Sequence, residues 1–389
     1  MPKLIENREE MKHKILRLLS VDGRMSIRDI AAVLKTSKAT AYNMFQETVE
    51  EYDLRFTPEI DVGELWRYEF VKQARTHSKK EILEDVVDKV PLIGLEEYIV
   101  LLKFTGKIPP EDRVAKALGD SYMPQYAARL RGDYDFLIYL VAREYFDVAA
   151  YLIEVGKKLK GFKFTTDLQR LSRGYGFFPL RTELIKQFNL FDTYLNLLVG
   201  LNENGRATLS EIGRNAKKRT GSAQMLYAYE RLKKTGILQR VTYYEARPKN
   251  VINAIIQVNV TEQYAYQASK TKWHMRMVKG YADQHNEYTF MCDISSPLGF
   301  LMFASFENGD EEEEFYDEIK STFKGAELKF YTITKALLGH LGIRDFDMQY
   351  TNQYKSLERQ RLVPKRRISS IKDEAVENPD MQEQQSEQF

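Results

Sequence analysis

The residues of this chain best equipped for chemistry are cations, and they are unevenly spread. Residues 205–249 hold eleven Lys and Arg against Glu211, Glu230 and Glu245, a net +8, whereas the whole chain has 58 Lys+Arg against 56 Asp+Glu and is only +2. Residues 24–46 repeat the bias on a smaller scale, with Arg24, Arg28, Lys35 and Lys38 against Asp29. Cations gathered on one face suit a polyanion, because phosphate contacts supply most of the sequence-independent affinity for DNA. Hydrolytic and metal chemistry has no such footing. The sequence contains no GxSxG, no GxxxxGK[ST] and no HExxH. Its five histidines, His13, His77, His274, His285 and His340, include no two at metal-ligand spacing. The expectation is a protein with no metal and no cofactor.

The elements that must carry these cations come in two copies. GRMSIRDI at 23–30 is matched by GRATLSEI at 205–212. Each copy is preceded by a helix with apolar residues at helical spacing, over 9–20 and 191–203. A short second helix follows, begun by Ser26 or by Thr208/Ser210 as N-caps. The turns Thr36-Ser37-Lys38 and Thr220-Gly221-Ser222 then start a third helix in each copy. Three short helices with a tight turn before the last describe a helix-turn-helix, whose third helix enters the major groove of double-stranded DNA. The base-reading and phosphate-holding residues expected in the first copy are Arg28, Lys35, Lys38, Thr40, Asn43 and Gln46. In the second they are Arg214, Lys217, Lys218, Arg219, Ser222, Gln224, Tyr227, Arg231 and Arg240. Met44, and one of Met225 and Tyr227, should pack inward instead.

Behind each unit the period changes. LRFTPEI and ILQRVTYYEARP read as a wing or a linking strand. The first half then runs strand, helix, strand, strand, helix, strand from EYIVLLKFTG to FKFTTDLQRL. The second half repeats the order from NAIIQVNVTE to AELKFYTITKAL, with helices over 262–279 and 310–324. The fold class expected is α+β, with winged helix-turn-helix domains alternating with ferredoxin-like βαββαβ domains, one sheet face covered by helices and the other free to pair with a second sheet.

This arrangement resembles the Lrp/AsnC (feast/famine) family of transcription regulators, in a tandem two-copy form of archaeal type. The cue is RLRGDYDFLIYLVARE at 129–144, similar to the family's Gly-Asp-x-Asp hairpin. The resemblance covers about residues 9–350 and implies RAM-type domains that pair through their sheets. It also implies an amino acid or other small metabolite as effector, with Gly132, Asp133 and Asp135 in its pocket. Physically, Gly132-Asp133 reads as a two-residue hairpin turn with Asp135 opening the next strand. The second copy has SSPLGF at 295–300 instead and lacks the acidic pair.

Sirohaem decarboxylases are similar in the same architecture and are enzymes. Such a site needs a general acid and Arg or Lys residues for the tetrapyrrole carboxylates. The first α/β domain has no histidine on its strands, and His285, just before EYTFMCDIS, is the best placed. With +8 on one helix-turn-helix, the reading favoured from sequence is a sequence-specific DNA-binding regulator and not an enzyme.

Domain boundaries follow: helix-turn-helix 1–60, an inserted segment 61–94, α/β domain 95–172, linker 173–190, helix-turn-helix 191–248, α/β domain 249–350 and an extension 351–389. The last twenty residues set Lys372 against six carboxylates and are expected to be disordered. One cysteine, Cys292, points to a reducing, cytoplasmic setting. No apolar run approaches the ~20 residues of a membrane span.

Overall fold

A computed structural model describes residues 2–65, 95–175, 179–188, 190–216, 218–246, 252–259, 288–296, 298–306, 308–323 and 326–340. All belong to the first of two contact units, residues 1–348, with 349–389 forming the second. In chain order the first half comprises α1 (Pro2–Val21), α2 (Ile27–Leu34), α3 (Lys38–Glu51), β1 (Leu54–Ile60), β2 (Glu96–Thr105), α4 (Glu111–Gly119), β3 (Pro124–Arg131), β4 (Phe136–Ala142), α5 (Tyr145–Lys158) and β5 (Lys163–Tyr175). The second comprises α6 (Thr182–Ile185), α7 (Asp192–Glu203), α8 (Leu209–Asn215), α9 (Ser222–Lys234), β6 (Leu238–Glu245), β7 (Ile252–Asn259), β8 (Tyr288–Ser296), β9 (Leu298–Phe306), α10 (Gly309–Thr322) and β10 (Glu327–Leu338). The helix expected over 262–279, most of segment 61–94 and the acidic extension lie outside the described residues.

The helix starts follow from their caps. The Ser26 side chain accepts from the Asp29 N–H to open α2, and Ser37 accepts from Thr40 to open α3. Thr208 and Glu211 form a reciprocal capping box at the start of α8, while α9 starts at Gly221 with no side-chain cap. Between α2 and α3, Lys35 takes the left-handed conformation, φ 52°, that ends the helix. Met44 and Met225 are both buried, as expected of residues facing the preceding helices.

The strands behind these units do not fold back as wings. β1 and β6 pair antiparallel with each other, Leu54 opposite Glu245 and Thr57 opposite Thr242, so each links one helical unit to the other. Around this ribbon the two copies clasp reciprocally. The Gly23 N–H donates to the Val241 carbonyl at 2.6 Å and the Gly205 N–H to Phe56 at 2.9 Å. Arg24 donates to the Gly205 and Ala207 carbonyls, and Arg206 to those of Gly23 and Met25. Arg206 also lies over the rings of Phe45 and Phe56, 4.6 and 5.2 Å from their centroids. A Cβ on Gly205 would meet the Phe56 backbone at 2.9 Å, so the ribbon crosses where the turns are smallest.

One group on this ribbon is out of balance. Glu245 is half-buried at the end of β6, and burial pushes its carboxyl from 4.5 up to about 7. Between those values the unfolded chain releases the proton and the folded chain keeps it. The group's contribution is therefore complete below 4.5 and lost as pH rises through about 7. Glu245→Gln is expected to exceed the parent by about 2 kcal/mol near about pH 8 and to match it near about pH 4. Urea unfolding at both pH values measures it, and an equal difference at both contradicts the assignment.

The α/β halves have sheets ordered β3-β4-β2-β5 and β8-β9-β7-β10. They meet edge to edge, β5 with β8 and β10 with β3, and close an eight-stranded antiparallel barrel. Pairing through the sheets was expected, but closure through both edges was not legible. Outside, α4 and α5 cover the first sheet over Val100, Leu102, Phe136 and Ile138, and α10 covers the second over Ile256, Met302 and Phe306. Inside, Ile99, Leu101, Leu137, Tyr139, Ile255, Leu301 and Phe303 form one core that runs on into Leu197, Leu201, Met225 and Leu232 of the second helical unit. Eight strands leave an interior that side chains fill, with room for one small ligand at most.

Candidate functional site

The β3–β4 connection is four residues, Gly132 to Asp135, and not the two-residue turn expected; the Leu130 N–H donates to the Asp135 carbonyl at 2.8 Å. Gly132 has φ +148°, and a Cβ there would come within 2.9 Å of the Tyr331 ring, so glycine is needed both for conformation and for closeness. The Asp135 carboxylate accepts the Phe104 N–H at 2.7 Å, which fastens the loop to β2. Asp133 is exposed at the tip.

Beside this loop lies an open cleft of about 840 Å³. Its wall includes Gly132 and Tyr134, three cations, Arg129, Arg131 and Lys335, and three carboxylates, Glu111, Asp112 and Asp135. Arg129 lies 4.7 Å from the Phe136 centroid, and Lys335 pairs with Glu111 at 2.8 Å. Of the predicted effector residues, Gly132 and Asp135 thus line one cavity, with the Asp135 carboxylate committed to backbone. The cationic wall escaped sequence reading, although Arg129 and Arg131 alternate on β3 within the quoted motif.

Tyr134 lines this cleft and packs, half-buried, against the barrel's inner core. Its hydroxyl donates to Asp167 Oδ2 at 3.2 Å, and its ring stands 5.9 Å from that of Tyr331. Burial, with the nearby Asp167 carboxylate, pushes the Tyr134 phenol up to about 12. At neutral pH it is therefore a proton-bearing group. Burial also raises Tyr331, whose hydroxyl finds no partner among the described residues.

The helical units place the predicted nucleic-acid residues less uniformly. On the second, Arg214, Lys218, Arg219, Ser222, Gln224, Tyr227 and Arg231 are all exposed. None of those cations forms an ion pair among the described residues. Arg240 instead turns along the β1–β6 ribbon to Glu59, and Lys217 lies outside the described residues. On the first unit Arg28, Lys35, Lys38, Thr40 and Asn43 are exposed and Gln46 is half-buried. Arg24 and Arg206, counted above with the basic runs, are spent on the clasp. Two apolar residues were missed: Tyr42 and Leu226 stand 51% and 48% exposed beside Asn43 and Tyr227. Their helical offset from the buried Met44 and Met225 is the signal that marks them.

Histidine chemistry is not visible in the described site. His13 is exposed on α1, His340 stacks on Tyr244 at 4.5 Å, and His77, His274 and His285 lie outside the described residues. No helix among the described residues is long and apolar enough to cross a membrane.

These elements define a mixed helix-and-strand chain with antiparallel sheets. No protein-family model matches the sequence, and no curated protein matches it. Among solved structures, the chain is similar to the siroheme decarboxylase NirDL at 15% identity and a TM-score of 0.51, over 90% of this chain and 99% of that one. An AsnC family transcriptional regulator from Agrobacterium tumefaciens aligns with 40% of this chain and 88% of its own, at 16% identity and a TM-score of 0.26. The leucine response regulatory protein of Mycobacterium tuberculosis covers 41% of this chain and 89% of its own, at 10% identity and a TM-score of 0.25. The expectation that this chain is not an enzyme is overturned here. The fold shared over 90% of this chain is one that an enzyme uses.

Proposed function

We propose that the chain is an enzyme of the sirohaem decarboxylase type, acting on a carboxylate-bearing tetrapyrrole. The observation that carries this reading is the likeness to one enzyme over 90% of this chain and 99% of that one. The finer architecture is read accordingly as two helix-turn-helix units that share the β1–β6 ribbon in place of separate wings, and two RAM-type ferredoxin-like domains, with the boundaries given above.

The cleft beside Gly132 suits the substrate class. Its volume falls within the about 300–1,000 Å³ usual for small-molecule sites. Arg129 and Arg131 offer guanidinium forks for carboxylates, while Lys335 is paired with Glu111. In decarboxylation the C–C bond to the carboxylate breaks, CO2 leaves, and the electron pair left on carbon takes a proton. Tyr134 is the proton-bearing side chain of the wall, and solvent restores its proton after each turnover. Mixing the protein with sirohaem is expected to perturb the Soret band, with Arg131→Ala weakening binding by about tenfold. An unchanged Soret band contradicts the reading.

A second reading is favoured by one specific observation, the exposed cations of α8, α9 and the turn between them, which form no ion pair among the described residues. On that reading the helical units contact double-stranded DNA as a regulator does, with a small effector near Gly132, Asp133 and Asp135. Arg219→Ala and Arg231→Ala are each expected to lower affinity for every DNA sequence and to reduce the salt slope by about one. Gln224→Ala is expected to change preference among sites instead. Binding that is absent, or independent of salt, removes it.

A further inference from the structure

The two halves of the barrel can be aligned through their ladders, and their inner faces agree until the mouth behind Tyr134. Ile99, opposite Tyr139 and Gln169, corresponds to Ile255, opposite Phe303 and Tyr331. One step along, Leu101, opposite Leu137 and Asp167, corresponds to Gln257, opposite Leu301 and Lys329. Leu101 shows that an apolar residue fits this layer. At the corresponding place the second half buries a carboxamide, and the first half buries another at Gln169.

Both amides are oriented by carboxylates. Gln169 Nε2 donates to Asp167 Oδ2 at 3.3 Å, and because a carboxylate only accepts, Gln169 Oε1 must face the other way. Gln257 Nε2 donates to Asn259 Oδ1 at 2.7 Å, while Asn259 Nδ2 donates to Glu327 at 3.0 Å, which fixes that chain in the same sense. The result is two carbonyl oxygens, Gln169 Oε1 and Gln257 Oε1, with no partner among the described residues. Gln169 is 0% and Gln257 1% exposed. Each such orphan costs about 1–3 kcal/mol. A ligand that donates hydrogen bonds offsets that cost. Asp133, Asp167 and Glu327 lie close enough to Tyr331 to raise its phenol, and Lys329, opposite Gln257, pairs with Glu327 at 3.4 Å. An acceptor-rich, net acidic mouth selects a cation and disfavours a carboxylate.

We propose that the barrel mouth behind Tyr134 is a binding site for a small ammonium-bearing ligand, held by Gln169 Oε1 and Gln257 Oε1 with Asp167 as counter-charge. The site is separate from the cationic cleft and does not rest on the decarboxylase reading. The Tyr331 hydroxyl, also buried and unpartnered among the described residues, adds one donor for an acceptor on the same ligand.

The test is thermal unfolding of the full chain in methylammonium chloride, sodium chloride and sodium acetate at equal ionic strength. Methylammonium is expected to raise the midpoint saturably, and the two sodium salts are not. Gln169→Leu is expected to weaken the methylammonium response about tenfold, one charge-assisted hydrogen bond. Gln169→Glu, which keeps an inward acceptor and adds charge, is expected to strengthen it, so a failure of the leucine variant to fold leaves the site testable. Equal shifts in methylammonium and sodium chloride, a response to acetate, or an unaltered response in Gln169→Glu overturns the proposal.

Discussion

Tyr134→Phe is expected to lower the turnover of sirohaem decarboxylation by about a hundredfold or more, with little change in substrate affinity. The hydroxyl is the atom at issue, since phenylalanine keeps the ring against Tyr331 and the cleft wall while removing the bond to Asp167. Positioned proton donors contribute about 10²–10⁴ to rate. Steady-state kinetics with the electron pair's proton as the only element removed separates two roles. A fall in kcat at constant KM fits a proton donor; a rise in KM at constant kcat makes Tyr134 a wall of the cleft and nothing more.

Arg206→Ala is expected to destabilise the protein by about 3 kcal/mol. Truncation leaves the Gly23 and Met25 carbonyls without the donor that spans the two helical units, and each buried unsatisfied group costs about 1–3 kcal/mol. It also strips the guanidinium from the Phe45 and Phe56 rings, an interaction of about 1 kcal/mol. Arg206→Lys keeps the charge but not the fork, and should recover only part of the loss. Urea unfolding of both variants is the measurement. A change within about 0.5 kcal/mol, typical of an exposed side chain, contradicts the clasp.

The contrast between Arg206 and Arg219 shows what sequence could and could not reveal. Both are arginines in one basic run, and counting charge treats them alike. Only the long-range pairing of β1 with β6 turns Arg206 inward, and that pairing joins segments separated by nearly half the chain. Local features were legible because their causes are local: the Ser26, Ser37 and Thr208 caps, the strand alternations, and the burial of Met44 and Met225 follow from neighbours a few residues away. Barrel closure through β5–β8 and β3–β10 was not, because alternation says which face is apolar and nothing about which edge pairs with which. The cationic cleft shares that origin. Arg129 and Arg131 come from β3 and Lys335 from β10, brought together by the edge pairing that sequence pattern leaves open.

The same logic explains the corrected expectation of a non-enzymatic regulator. A basic helix-turn-helix was weighed as if all its cations faced solvent, and as if its presence settled the use of the α/β halves. The α/β halves also carry an open cleft beside the Gly132 loop, lined by Arg129 and Arg131.

The central claim is tested most directly by anaerobic incubation of the purified full chain with sirohaem, followed by mass spectrometry of the extracted tetrapyrrole. The account predicts a product that has lost one or more carboxyl groups as CO2, formed in proportion to enzyme and time and reduced in Tyr134→Phe. Recovery of sirohaem with all its carboxyl groups, under conditions in which the protein binds it, contradicts the account.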